Sequence, residues 1–387
     1  MATGWIPAAG TYTISMRRRH ANWLVLPLLL GLVLLGTAAA GADLPEVAPG
    51  FPEPVLSARL EEITICFTGD NLLGARMPRL IDQHGEDWPY DAVIEVLAGA
   101  DLAFGNLECP ITDHTVRTPG KSWESIQAHR NFIFKAPPEI SSRILTATGF
   151  DVLTLANNHI MDYCATGLTD TIAELETSGI TWIGAGHNQA EAFTSKVVAR
   201  NGVRIGFIAR SKIVPGASKA SEQSPGLAWH GAEYSDELAA AIRDLNSRAD
   251  IVIVTFHWGY EGHRRHSAYQ QKMARRCIDD GADLVIGHHT HCLQGIELYN
   301  GGAIAYSLGN FLFTGASSLV ESAVLRVTAS RSGVEKVELL PCWVRGGKPE
   351  PAPDDAKLLK RIREICAPCG VELVDGANGW LAVEPSA

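Results

Sequence analysis

The sequence predicts an α/β protein, and three observations carry that reading. Short apolar runs rich in β-branched residues alternate with amphipathic segments whose apolar positions recur every three or four residues. Hydrophobic residues make up 46% of the 387 residues and charged residues 20%, enough apolar material for a large core. Nearly every strand-like run also ends in a polar cluster: TGDN, GNLE, ANNH, FHWG, GHHTH and SLGN. A buried strand gains nothing from a terminal His or Asp, whereas ligands of open α/β sheets bind beyond the carboxyl ends of the strands. The six clusters therefore predict one site assembled from many loops.

In chain order, Arg17, Arg18 and Arg19 precede an uncharged run from Ala21 to Ala42 that is leucine-rich and closes on small residues. A basic flank followed by such a run is the pattern of a secretory signal, and its length also suffices for a membrane anchor. Residues 1–42 are accordingly expected to be a signal peptide or anchor. The protein is then exported, either anchored facing outside the cytoplasm or secreted or periplasmic after cleavage. Residues 43–60 hold four prolines and read as an extended linker, with residues 61–387 as the folded body. The whole chain carries a net charge of −10; residues 1–42 contribute three arginines and no acid, so the remainder carries −13. A body of that charge excludes non-specific nucleic-acid binding, which needs Lys and Arg to displace counterions, and flat adsorption to an anionic membrane.

Strands are predicted at 63–68, 101–106, 151–158, 203–209, 251–258, 282–289, 302–310 and 321–330, each bounded by Gly, Asp or Asn. Helices are predicted at 89–99, 138–148, 166–178, 235–248, 266–280 and 355–367 from their helical spacing.

Among candidate functional residues, His289 and His291 follow the run ADLVIG within three histidines in four residues. In extended backbone, residues two apart project to one side, so both can address one metal ion, and imidazole is a common ligand for first-row metals. His257 ends the run IVIVTF and joins them as a further ligand, with Glu261 able to orient a ring nitrogen. Asn158 offers a hard carbonyl ligand. His159 beside it can move a proton, and Asp162 can orient that imidazole. Asn157 reads as an Asx-type turn capping the helix that begins near 165. Asp70 and Glu108 close two other strands, where carboxylates supply the charge that neutralises a divalent cation. Cys366-x-x-Cys369 is weak evidence for zinc or redox chemistry, and a disulfide between Cys109 and Cys164 stays open. Ser307 and Asn310 read as part of a strand-end turn that shapes the floor of the site.

With these residues in place, the chain resembles the CapA family of capsule and poly-γ-glutamate biosynthesis proteins, within the calcineurin-like metallophosphoesterase superfamily. The resemblance runs in order through FTGDNLLG, DLAFGNLECPIT, ANNHIMDYCATGLTDTI, WIGAGHNQAEAF, FHWGYEG and GADLVIGHHTHCLQGIELYNGGAIAYSLGNFLF. It implies a sandwich of two mixed β-sheets flanked by helices, a four-layer αββα arrangement with the metal site where strand-end loops meet. It implies Asp70, Asn158, His257, His289 and His291 as ligands and His159 as the proton-handling residue. Three departures stand out. Leu72 occupies the place of a usual histidine, Asn106 that of a bridging aspartate with Glu108 close enough to compensate, and Thr290 that of a usual proline. The cofactor implied is a divalent metal, for which Mn, Fe and Zn suit the donors equally.

The leading reading is a role in making or exporting an extracellular anionic polymer, with membrane synthase subunits as partners. The alternatives are a secreted phosphoesterase acting on a phosphorylated small molecule, and a non-catalytic polymer-binding scaffold.

Overall fold

The computed structural model describes residues 62–128, 131–231, 233–315 and 319–386. They fall in one compact unit, Arg59–Ala387, and the predicted signal or anchor (1–42) and linker (43–60) lie outside the described residues. Among the described residues, no helix is long and apolar enough to cross a membrane.

Two mixed sheets form the centre. The larger has ten strands. Its main path runs from Val371–Asp375 through Leu381–Pro385, Gly333–Arg345, Leu319–Ser330, Ile63–Asn71, Leu102–Leu107 and Val152–Thr154 to Thr181–Ile183. Ile63–Asn71 is its hinge of direction, parallel to Leu102–Leu107 on one side and antiparallel to Leu319–Ser330 on the other. The second sheet has six strands, with Val203–Ser211, Ile251–His257, Leu284–His288 and Gly302–Ala305 parallel and adjacent.

Alternation of side chains along each strand decides how the layers stack. Ile63, Ile65, Phe67 and Phe104 on the first sheet meet Ile205, Phe207, Ile253 and Ile286 on the second in one buried cluster. Phe104 and Phe207 stack across it with centroids 5.8 Å apart. The opposite parity, Cys66, Ala103 and Leu153, packs under the helices Pro138–Thr148 and Cys164–Thr177. Val252, Val254 and Val285 pack under Asp236–Arg248 and Ala268–Asp279. The order is therefore helices, sheet, sheet, helices, as the family resemblance implies.

Local signals place the helices closely. Ser235, Ser267 and Asp355 accept hydrogen bonds from first-turn N–H groups, and Ser267 forms a full capping box with Gln270. Gly149 ends Pro138–Thr148 in the left-handed conformation at φ 88°.

Three expectations are corrected. The helix predicted at 89–99 shrinks to Ile94–Ala98, preceded by turns. The strand predicted at 151–158 ends at Thr154. The run predicted at 302–310 splits into Gly302–Ala305 in the second sheet and Asn310–Leu312, which pairs with Ile63–Asn71 in the first. The segment between them carries the chain from one sheet to the other beneath the site, turning at Gly309 with φ 68°.

Candidate metal centre

The carboxyl ends of parallel strands from both sheets meet, Asp70 and Glu108 from the first lying beside His257, His288 and His289 from the second. Asp70 is set by a close backbone approach: its N–H donates to Gly309 O at 2.8 Å, and a Cβ on the preceding Gly69 would lie 2.0 Å from that same oxygen. Its carboxylate accepts from Asn106 Nδ2 at 2.8 Å and from the His289 N–H at 3.3 Å. It also lies 3.4 Å from His288 Nδ1 and 3.5 Å from His291 Nδ1. Glu108, just past its strand, is fully buried; its N–H donates to Asn71 O at 2.9 Å. From the second sheet, His257 Nε2 comes within 2.6 Å of Asn158 Oδ1, 3.1 Å of His289 Nδ1 and 3.8 Å of Glu108 Oε1. His291 Nδ1 stands 2.8 Å from Asn310 Oδ1.

Two groups result whose donor atoms lie within 4.8 Å of one another: Glu108, His257 and His289, and Asp70, Glu108 and His291. Glu108 belongs to both. The decisive test of fit is what these atoms lack. Both carboxylate oxygens of Glu108, His257 Nδ1 and both ring nitrogens of His288 are buried without a hydrogen-bond partner. Such groups are costly unless something satisfies them. Imidazole, carboxylate and amide oxygen are a fitting donor set for a divalent transition metal.

Electrostatics agree. Burial and the neighbouring His289 hold His257 well below its ordinary range, and burial with His291 brings His289 down to about 3, so both rings stand neutral and ready to donate lone pairs. Burial and the Asp70 charge push the Glu108 carboxyl well up. For Asp70, burial works upward but His288 and His291 outweigh it and hold the carboxyl well below its usual range. Burial alone would lower His291, yet Glu108 and Asp70 raise it to about 10.

Protons on Glu108 and His291 occupy the place of a cation, so metal binding must expel them. Affinity is expected to rise as pH climbs toward 10. Calorimetric titrations in buffers of different ionisation enthalpy should show proton release, and a pH-independent affinity would contradict it.

A family model described as bacterial capsule synthesis protein PGA_cap matches residues 64–315, a span that contains every residue of the cluster. The chain belongs to the PGA_cap family. It is 30% identical to the capsule biosynthesis protein CapA of Bacillus anthracis over 330 residues, covering 85% of this chain and 77% of that one. To the PGA biosynthesis protein CapA of Bacillus subtilis (strain 168) it is 30% identical over 346 residues, 89% and 86% of the two chains. A solved structure of a hypothetical protein from Thermus thermophilus is 15% identical, with a TM-score of 0.44 over 75% of this chain and 100% of that one.

In this PGA_cap chain, Asp70, Glu108, Asn158, His257, His289 and His291 come together as the strand-end pattern predicts. The backbone at His289 and His291 is not the extended alternation expected of it. The strand ends at His288, and His289 and His291 adopt positive φ of 92° and 56°, so a tight turn rather than an extended alternation aims them. Non-glycine residues held there store strain that surrounding contacts must offset.

His159 and Asp162 meet as predicted. Asp162 Oδ2 lies 2.7 Å from His159 Nδ1 and also accepts from the Phe134 N–H at 2.9 Å. A carboxylate only accepts, which assigns the proton to Nδ1 and leaves Nε2 for exchange. Asn157 does form an Asx turn, but its Oδ1 accepts from the N–H groups of His159 and Ile160 rather than capping Cys164–Thr177.

Asn106 does not join the cluster as a bridge; it donates to Asp70, while Glu108 supplies the carboxylate common to both groups. Leu72 is buried core, with its N–H on Leu312 O. The Glu261 side chain is exposed and bonds to no site histidine among the described residues. Ser307 and Asn310 shape the turn and touch the cluster: Ser307 Oγ accepts from Thr290 Oγ1 at 2.9 Å and from the Gly309 N–H at 3.1 Å. All eight cysteines are free, including Cys109, Cys164, Cys366 and Cys369.

One site residue had no sequence signal. Lys121, in a loop with no motif or periodicity, is buried against Asp162 and His159. His288 carries no signal beyond its place in the histidine run, and it packs under Asp70 with Phe104 stacked on its ring.

Proposed function

We propose that this chain works in the assembly or export of an extracellular anionic polymer, poly-γ-glutamate or capsule, and that it uses the strand-end cluster as a divalent-metal hydrolase or transferase centre. The observation that carries the chemistry is the pair of overlapping donor groups sharing Glu108, with buried donor atoms left unpartnered. The polymer class is supported by membership of the PGA_cap family and by the names of the two CapA relatives. The basic flank Arg17–Arg19 and the apolar run to Ala42 support work outside the cytoplasmic membrane.

Asp70, Glu108, Asn158, His257, His289 and His291 would hold the metal. A divalent ion there supplies Lewis-acid polarisation of a phosphoryl or carbonyl oxygen. The residues of the chain do the rest. Asp162 fixes the His159 imidazole in one tautomer, so Nε2 can hold or pass a proton at the reacting oxygen. The Phe134 ring packs on His159 with centroids 4.5 Å apart and the Phe313 ring on His291 at 4.7 Å, an apolar wall that limits water.

The test is metal content of the purified full chain, wild type against a His289→Ala/His291→Ala variant, alongside hydrolysis of a generic phosphodiester and of poly-γ-glutamate. Stoichiometric metal and hydrolysis in the wild type, both lost in the variant, are expected. A wild type that takes up no Mn, Fe or Zn under loading would sink the metal-centre reading.

A further inference from the structure

We propose that Lys121 is a positioning residue of this centre, one ammonium that fixes both the ligand Asn158 and the proton-handling His159 from behind. The inference rests on the metal-centre reading above and extends it to a residue outside every motif.

Lysine is almost never buried without partners, and Lys121 is 7% exposed. Its Nζ carries three protons and meets three acceptors: Asp162 Oδ1 at 2.5 Å, Phe132 O at 3.0 Å and Asn158 O at 3.2 Å. His159 Nδ1 also lies 3.2 Å away but already holds the proton directed at Asp162, so it accepts nothing from the lysine. The donor count is filled.

What ties Lys121 to the site is where those acceptors sit. Asn158 and Asp162 bracket His159 in the chain. Phe132 lies two residues before Phe134, whose ring packs on His159 and whose N–H donates to Asp162. Every group that aims the imidazole is thus bound to Lys121 directly or is one residue or one hydrogen bond away. The Asn158 carbonyl is pinned on the main chain while its side-chain oxygen faces His257 Nε2 at 2.6 Å. Simple burial of a counter-charge for Asp162 would need only one of these contacts. A guanidinium cannot replace the ammonium, because its planar fork does not place one nitrogen among three converging acceptors.

Removing the lysine alone strands the buried Asp162 carboxylate and endangers folding, so the test uses Lys121→Met/Asp162→Asn, which removes both charges, and Lys121→Arg, which keeps them. The Mn²⁺ affinity of the full chain is measured by chelator competition. The His159 tautomer is read in the metal-free protein from ¹⁵N–¹H ring correlations, assigned by a His159→Gln variant.

The double variant is expected to melt near wild type yet bind Mn²⁺ about 10–100-fold more weakly, the usual loss when a group orienting a ligand is removed. Lys121→Arg is expected to replace a single Nδ1–H tautomer by a mixture. Wild-type Mn²⁺ affinity in the double variant, with an unchanged tautomer in Lys121→Arg, would reduce Lys121 to a counter-charge and overturn the proposal. If the wild type binds no Mn²⁺, the metal-centre reading falls, and the tautomer measurement still decides whether Lys121 positions His159.

Discussion

Glu108→Gln is expected to weaken metal binding at least about 100-fold and, at the same time, to raise the melting temperature of the metal-free protein. The two effects have one cause. Glu108 is fully buried, neither carboxylate oxygen has a hydrogen-bond partner, and Asp70 lies beside it. A folded pKa raised above the unfolded value means that, at neutral pH, folding must either protonate the carboxyl or bury its charge. That cost disappears below the unfolded pKa and grows as pH rises toward the folded one. A glutamine carries no charge and can donate its amide to Asp70, so it should recover about 1–3 kcal/mol and a few degrees of melting temperature. The same substitution deletes the one carboxylate shared by both donor groups. Thermal melts with and without Mn²⁺ read both effects. A variant that melts lower than wild type when metal-free, or that holds metal with unchanged affinity, would contradict the argument. Such a trade, stability given up to assemble a site, is the usual signature of a functional cluster.

Gly287→Ala is expected to disrupt folding severely, because a single added methyl has no room there. A Cβ at residue 287 would lie 2.0 Å from Tyr306 O and 2.6 Å from Trp258 Nε1, which themselves share a hydrogen bond of 2.9 Å. Neither contact is with the yielding end of a flexible side chain. The strand Leu284–His288 must move away from the segment at 306, and His288, His289 and His291 move with it. A loss of more than about 3 kcal/mol is expected, with insoluble expression or a sharply lowered melting temperature. Gly231→Ala is the control. Its added Cβ meets nothing nearer than 4.0 Å and its φ is not positive, so it should change stability by less than about 0.5 kcal/mol. Equal melting temperatures for the two variants would show that the strand can yield, and that the crossing at residue 306 does not set the histidine turn.

How far the site was legible follows from how each residue is specified. Asp70, Glu108, Asn158, His257, His289 and His291 each stand at or just beyond the end of a strand-like run, a local and periodic signal. Parallel strands share one carboxyl edge, so the pattern of polar ends already implied their meeting. Lys121 carried no such signal. Its three acceptors lie 11, 37 and 41 residues away, and nothing in TPGKSWES distinguishes it from a solvated loop lysine. The turn that aims His289 and His291 was missed for a related reason. Positive φ at a histidine is disfavoured locally and persists only because contacts with Asp70 and Asn310 hold it.

The sequence by itself determined most of the parallel strands, the helices that flank them, and the faces they bury. Alternation along Ile63–Asn71 and Val203–Ser211 set which side chains meet between the sheets, and Ser235, Ser267 and Asp355 set where helices begin, because periodicity and capping act over a few residues. The tertiary structure alone decided how the run after Gly302 divides between the two sheets, and that Glu108 is common to both donor groups. It alone brought Lys121 behind His159. These outcomes depend on backbone approach and charge balance among segments far apart in the chain, where no local pattern reaches.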